Sequence, residues 1–196
     1  MEDLRIKYEE KFNRKHSNVK GDESWKRYYG GKIQERRAYS LSFLYGNVLE
    51  VGSADGFNIY LMLKTPEIDF VTGLEIQDKA IIEAESNLKG IGRYIIKKGI
   101  AEEMPFKDNS FDCGHCGATM EHVFDDKLAA KEMARVVKDK AVFSIPIGGG
   151  ISQEHLREYT PKKFIDLLKD YFIIQEQRTF LNDKGVKILV VICKKI

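Results

Sequence analysis

A chain of 196 residues, 43% hydrophobic and 32% charged, has the composition of a soluble globular protein and is long enough for one domain with a full core. Its 32 basic and 30 acidic side chains leave a net charge of only +2, which demands no nucleic-acid partner. The longest apolar run, residues 188–193 (ILVVIC), is far too short to span a bilayer, and residues 1–10 (MEDLRIKYEE) are charged from the second position, so a cytoplasmic protein is expected. Three cysteines, an odd number without framework spacing, fit reduced thiols better than disulfides.

In chain order, Leu4, Tyr8 and Phe12 stand four apart and draw one apolar stripe on a charged helix over residues 1–15. Residues 22–29 (DESWKRYY) can begin a second helix, with Asp22 as cap, until Gly30 and Gly31 interrupt it. A third is predicted from about residue 32 to 45, stopping at Gly46. The first 37 residues hold 11 Lys or Arg against 7 Asp or Glu with both signs interspersed, the pattern of a solvated helix surface rather than an RNA-binding face. These helices precede the first strand and so cover a sheet edge or a ligand mouth. Trp25, Tyr28 and Tyr29 read first as packing residues, with ligand contact as the alternative.

Residues 48–56 (VLEVGSADG) are the stretch around which the rest of the chain is organised. Val48, Leu49 and Val51 suit a buried parallel strand, and residues 58–64 continue at helical spacing. Gly52 and Gly56 bracket the turn between them; glycine takes positive φ and has no Cβ, so the backbone can lie against a ligand at the strand's carboxyl end. The dinucleotide fingerprint GxGxxG would need Gly at 54 and 57, where Ala54 and Phe57 stand; Glu50 makes the pattern ExGxxxG instead. On this stretch alone the turn is a nucleotide-like ligand loop or a plain connection.

Pro66 opens the connection to a second strand at residues 70–74, which ends in Glu75, 19 residues beyond Gly56. A carboxylate there can accept hydrogen bonds from both hydroxyls of a ribose, or act as the acid ahead of a helix at residues 78–89; its pairing with the glycine turn favours the ribose. A third strand is placed at 94–97. The fourth, at 111–116, carries CGHC and runs into GATMEHV, residues 117–123. Cys113, His115 and Cys116 suggest a metal at first sight. Alternation, however, puts Cys113 and His115 on one face and Cys116 on the other, with no second pair of ligands, so they read as buried small residues and no metal is expected. A helix at 125–137, a fifth strand at 141–146 and the loop IGGGISQEHL (147–156) come next. Thr160 as cap and Pro161 at the first position start a helix to residue 169. Strands at 172–180 and 186–193, joined by LNDKG, close the chain as an antiparallel hairpin.

VLEVGSADG, then GLEIQ, then GIAEEMPFKDNSFD, then TMEHV resembles the class I S-adenosylmethionine-dependent methyltransferases, most of all the methyltransferase type 11 group, over roughly residues 46–146. The resemblance implies an α/β three-layer sandwich with a mostly parallel seven-stranded sheet, Rossmann-like, with an antiparallel C-terminal hairpin. It implies one domain over residues 1–196, in which residues 1–45 are a helical cap and residues 46–196 the cofactor-binding core. It also implies S-adenosylmethionine as cofactor and S-adenosylhomocysteine as product. Glu50, Gly52, Ser53 and Ala54 would surround the methionine moiety, at the turn that Gly56 closes. Glu75 would hold the ribose hydroxyls, Ile76 would pack on the adenine, Ala101 and Glu102 would sit at the adenine rim, and Gly117 would lie beneath the cofactor.

Two positions depart from the family pattern. Ala54 stands where Gly is common, and Ile100 where many members carry an Asp to the adenine amino group, which leaves adenine recognition to backbone groups and packing. The acceptor is expected to be a small molecule, with protein or RNA open. A general base, if the acceptor needs one, is sought in the loops after strands four and five, with His155 the first candidate and His122 the second. Each has a structural reading too: His122 belongs to the EHV helix start, and His155 sits beside Glu154 at the start of an ordinary helix. The alternative function is a cofactor-binding module that has lost transfer activity, suggested by Ile100 and the unusual fourth strand. The failed GxGxxG and the terminal hairpin argue against a nucleotide-binding dehydrogenase.

Overall fold

The computed structural model describes residues 31–148, 154–182 and 184–196. The helices expected at 1–15 and 22–29, with Trp25, Tyr28 and Tyr29, lie outside the described residues, as do positions 149–153 of the loop after the fifth strand. The elements are α1 (Gly31–Leu41), β1 (Gly46–Val51), α2 (Phe57–Met62), β2 (Ile68–Glu75), α3 (Asp78–Asn87), β3 (Tyr94–Lys98), β4 (Phe111–Gly117), α4 (Asp126–Val136), β5 (Val137–Ile147), α5 (Pro161–Leu168), β6 (Phe172–Leu181) and β7 (Lys187–Lys195). Among the described residues no helix is long and apolar enough to cross a membrane.

All seven strands join one sheet in the order β3-β2-β1-β4-β5-β7-β6, in which β7 alone runs antiparallel to its neighbours. Strict alternation divides its side chains between two cores. Val48, Cys113, Val142 and Val190 belong to the core that includes Leu41 of α1 and Phe57, Ile59 and Met62 of α2. Leu49, Cys116, Phe143 and Val191 belong to the core formed with Ala129 and Met133 of α4 and Phe164 and Leu168 of α5. Helices on both faces explain why these strands read as continuous apolar runs, and they complete the three-layer sandwich. The division of Cys113 from Cys116 is the one alternation predicted.

Local chemistry sets the helix boundaries. Asp125 caps α4 by accepting the N–H of Leu128 at 2.9 Å, and Thr160 caps α5 by accepting that of Lys163 at 3.2 Å, with Pro161 at the first helical position. The expected bounds slip by four residues at β5, which starts at Val137 directly after α4 rather than at 141. Its charged first residues remain in the ladder because each finds a partner at the sheet's amino end. Lys138 pairs with Asp112 at 2.8 Å, Asp139 accepts the Tyr45 hydroxyl at 2.6 Å, and Lys140 lies over the Tyr45 ring.

The strand order reverses between β1 and β4, and the carboxyl ends of these neighbours are where open α/β sheets bind ligands. Helix α1 packs against β5, β6 and β7. It is anchored by Tyr39, whose ring meets Phe43 and Phe180 and whose hydroxyl donates to Glu176 at 2.5 Å. That anchor brings Arg36 and Arg37 toward the carboxyl ends of the central strands.

Candidate active site

The turn after β1 is built from left-handed backbone: φ is +75° at Gly52, +45° at Ala54 and +82° at Gly56. A Cβ at Gly52 would stand 2.3 Å from Thr119 Oγ1, so the loop after β4 packs directly on the turn. Ala54 carries a Cβ in a conformation that costs an L-residue about 1–2 kcal/mol. Its N–H is drawn to Glu75 Oε2 at 2.9 Å, while Glu75 Oε1 accepts from the N–H groups of Ile76 and Gln77 at 2.8 and 3.0 Å. Glu75 is 7% exposed and ties the ends of β1 and β2 together. Oε1 has both in-plane acceptor positions taken and Oε2 keeps one. One ligand hydroxyl can therefore join without displacing a backbone donor; holding two requires one donor to yield.

Ser53 Oγ is buried with no hydrogen-bond partner among the described residues. An orphaned hydroxyl, a positive-φ turn and a buried carboxylate form a donor and acceptor set that fits an amino acid joined to a ribose. At the expected adenine side, Ile100 is 3% exposed and points its bulk into the protein. Glu102, 2% exposed, accepts the N–H groups of Phe124 and Asp125 at 2.8 and 3.3 Å, tying the loop after β3 to the start of α4. Ala101 is buried beside it.

Beneath the turn lies a polar network on one face of the sheet. Glu50, fully buried, accepts from Asn58 Nδ2 at 2.8 Å and lies 2.5 Å from His115 Nδ1. The two residues are register partners on β1 and β4. Asn58 Oδ1 accepts in turn from Arg37 Nε at 3.0 Å, and the Arg37 guanidinium lies over the Phe57 ring. Arg36 donates to Ser144 Oγ at 2.8 Å. Burial, reinforced by neighbouring Arg37 and opposed by Glu121 and Glu50, lowers the Arg36 pKa to about 10. His115 is thus buried, but as a polar partner rather than as filler. A Cβ at Gly117 would meet His115 Cε1 at 2.9 Å, which explains the glycine that ends β4.

A cavity of about 250 Å³ lies between the loop after β4 (Ala118, Glu121, His122), the end of β5 (Pro146, Ile147) and the β6–β7 hairpin (Asn182, Ile188), with His155 also lining it. His122 and His155, both candidates from the sequence, meet edge to face with ring centroids 4.8 Å apart. Their loops are laced together. Leu156 N–H donates to the Glu121 carbonyl at 2.8 Å, and His122 Nδ1 lies 3.3 Å from the Glu154 carbonyl. The Arg157 guanidinium donates to the carbonyls of Met120, Val123 and Phe124, and Tyr159 donates to Asp126 at 2.7 Å. Residues 154–160 are turn and extended backbone, not the helix expected to start at Glu154. The side chain of Arg157 and the N–H of Leu156 are committed to the facing loop, and the helix waits for the Thr160 cap.

Glu121, which sequence reasoning passed over as part of a helix start, is 1% exposed, and its Oε2 has no hydrogen-bond partner among the described residues. Burial pushes its pKa up to about 7, against the opposing pull of its own backbone N–H and of Arg36. A signal was present in the sequence: an acid between Met120 and Val123, both of which are buried.

The seven-stranded order with one antiparallel strand, the glycine turn after β1 and the acid ending β2 define the class I methyltransferase fold. Residues 49–145 match the family model described as "Methyltransferase domain". Residues 49–145, just under half of the chain, are thus similar to the class I, S-adenosylmethionine-dependent methyltransferases of the type 11 group. The chain is 30% identical over 99 residues to the uncharacterized methyltransferase YcgJ of Bacillus subtilis (strain 168), covering 49% of this chain and 38% of that protein. It is 34% identical over 84 residues to the demethylmenaquinone methyltransferase of Desulfitobacterium hafniense (strain Y51), covering 41% and 33% respectively. The chain thus spans well under half the length of these relatives. The fold of the N-methyltransferase NodS from Bradyrhizobium japonicum WM9, solved in complex with S-adenosyl-L-homocysteine, superposes with a TM-score of 0.75 over 98% of both chains at 16% identity.

Proposed function

We propose that this chain moves the methyl group of S-adenosylmethionine to a small-molecule acceptor held in the cavity between β4, β5 and the terminal hairpin. One observation carries the reading. The loop that packs on the glycine turn through Thr119 also supplies Glu121 and His122 to the cavity, so cofactor turn and acceptor cavity share a wall. A cavity of about 250 Å³ suits a small acceptor or the reacting end of a larger one. Three free, buried thiols support a reducing, cytoplasmic setting.

Gly52, Ser53, Ala54 and Gly56 would hold the amino-acid end of the cofactor over the Glu50–His115–Asn58 network, Glu75 the ribose, and Ile76 the adenine. Once bound, the cofactor supplies an electrophilic methyl whose departure leaves a neutral thioether, so no general acid is needed. The chain's main task is alignment, which is worth on the order of 7–11 kcal/mol. A base adds about 10²- to 10⁴-fold when the acceptor must lose a proton. His155 and His122, at the cavity wall with the buried acid Glu121 beside them, are the groups positioned to receive it.

The test is calorimetric titration with S-adenosylmethionine and S-adenosylhomocysteine, with NAD as contrast ligand, followed by an acceptor screen. Micromolar binding of the sulfur ligands, lost in Glu75→Ala, is the expected result; folded protein that ignores them refutes the reading. Turnover on the acceptor that is unchanged in His155→Ala would remove that residue from the reaction.

A further inference from the structure

We propose that Glu121, His122 and His155 bind a divalent transition-metal ion in the cavity, and that an open position on this ion takes an oxygen of the methyl acceptor. One ligand atom from each side chain lies within 4.8 Å of the other two, and all three residues line the cavity. Ligand atoms on a four-coordinate ion with bonds of about 2.0–2.1 Å stand about 3.4 Å apart. Closing the set therefore takes a shift of roughly an ångström in the ligand atoms.

The independent observation is Glu121 Oε2, a buried carboxylate oxygen that no donor meets among the described residues. Once ionised, such an oxygen at the wall of a largely apolar cavity is unfavourable until a cation completes it. Arg36, whose charge is felt at Glu121, does not fill that role: it donates to Ser144 Oγ at 2.8 Å, with no hydrogen bond or ion pair to Glu121 among the described residues.

The surroundings suit ligation. If His122 Nδ1 donates to the Glu154 carbonyl, 3.3 Å away, Nε2 becomes the basic nitrogen, the arrangement that orients metal-bound imidazoles. The Leu156 N–H and the Arg157 clamp hold the segment bearing His155 against the loop bearing the other two ligands. Two imidazoles and one carboxylate suit zinc, cobalt, nickel or iron(II) rather than calcium or magnesium, which take oxygen cages. Three protein ligands also leave the open position that catalytic sites keep. An acceptor suited to that position carries a hydroxyl, phenol or enolate oxygen. The two histidines would then serve as ligands, and the acceptor's proton would leave to solvent as its oxygen binds the ion.

The acceptor's role rests on the methyltransferase reading, but the cation site does not. The test is titration of the tag-free, chelator-stripped full chain with cobalt(II) alone, following the visible absorption of the bound ion, alongside titration with S-adenosylhomocysteine. One equivalent per chain is expected. His155→Ala and Glu121→Gln, each shown to be folded by circular dichroism, should bind more weakly by more than the roughly 10- to 100-fold that loss of an outer partner costs; His155→Asn replaces either variant that fails to fold. No saturable uptake by folded wild-type protein overturns the site, and so does uptake that survives both substitutions, which would mark an adventitious ion. Protein that takes up cobalt but not S-adenosylhomocysteine keeps the cation site and sinks the methyltransferase reading; the reverse pattern does the opposite.

Discussion

Glu75→Gln tests the geometry of the glycine turn after β1 most directly. In the native chain one carboxylate oxygen takes the N–H groups of Ile76 and Gln77 and the other takes that of Ala54. Glutamine can keep its carbonyl oxygen on the first pair, but its NH₂ must then face the Ala54 N–H, donor against donor. The variant loses one hydrogen bond to a charged group, about 1.5–3 kcal/mol, and leaves a part-buried donor unmet, for a combined cost of about 2–4 kcal/mol. For a chain of this length that lowers the melting temperature by roughly 4–16 °C. Urea unfolding of wild type and variant at pH 7 measures the difference, and S-adenosylhomocysteine titration of the folded variant reads its effect on the ligand. A variant within about 0.5 kcal/mol of wild type would refute the claim that Glu75 holds the turn, even if ligand binding were lost.

Ala54→Gly should raise stability by about 1 kcal/mol and the melting temperature by roughly 2–4 °C, because glycine adopts φ +45° without the Cβ clash; a lowered melting temperature would contradict this. Glu121 holds its proton up to about pH 7 in the folded chain and to about 4.5 when unfolded. Between those values the folded state binds more protons, so stability falls as pH rises, by about 3 kcal/mol in metal-free protein. Glu121→Gln should lack this loss, and parallel urea profiles of the two proteins from pH 4.5 to about 8 would disprove it. Burial pushes the thiol pKa to about 11 at Cys113 and about 12 at Cys193, and well above its usual value at Cys116. All three should ignore a thiol reagent until the protein unfolds and then react together; modification of native protein would show the core to be open.

The fold was legible because its signals are local. Period-2 and period-3.6 patterning marked strands and helices, Gly52 and Gly56 marked the turn, and Thr160 with Pro161 marked the start of α5. Boundaries slipped where side-chain partners override local polarity, as at Lys138, Asp139 and Lys140, whose charges are met across the sheet. The candidate site was only half legible. His122 and His155 were singled out, but the helix expected at Glu154 is absent because Arg157 and the Leu156 N–H bond to another loop.

The sequence by itself determined the class of sheet, the position of the glycine turn and the acid that ends β2, since each depends on neighbours a few residues apart. Only the tertiary structure decided that His115 partners Glu50, that Arg36 reaches Ser144 across 108 positions, and that Glu121 joins His122 and His155 in one cavity. Those encounters are set by strand register and by which loops close over one end of the sheet. Both depend on how the whole core packs, and the spacing of residues along the chain does not carry them.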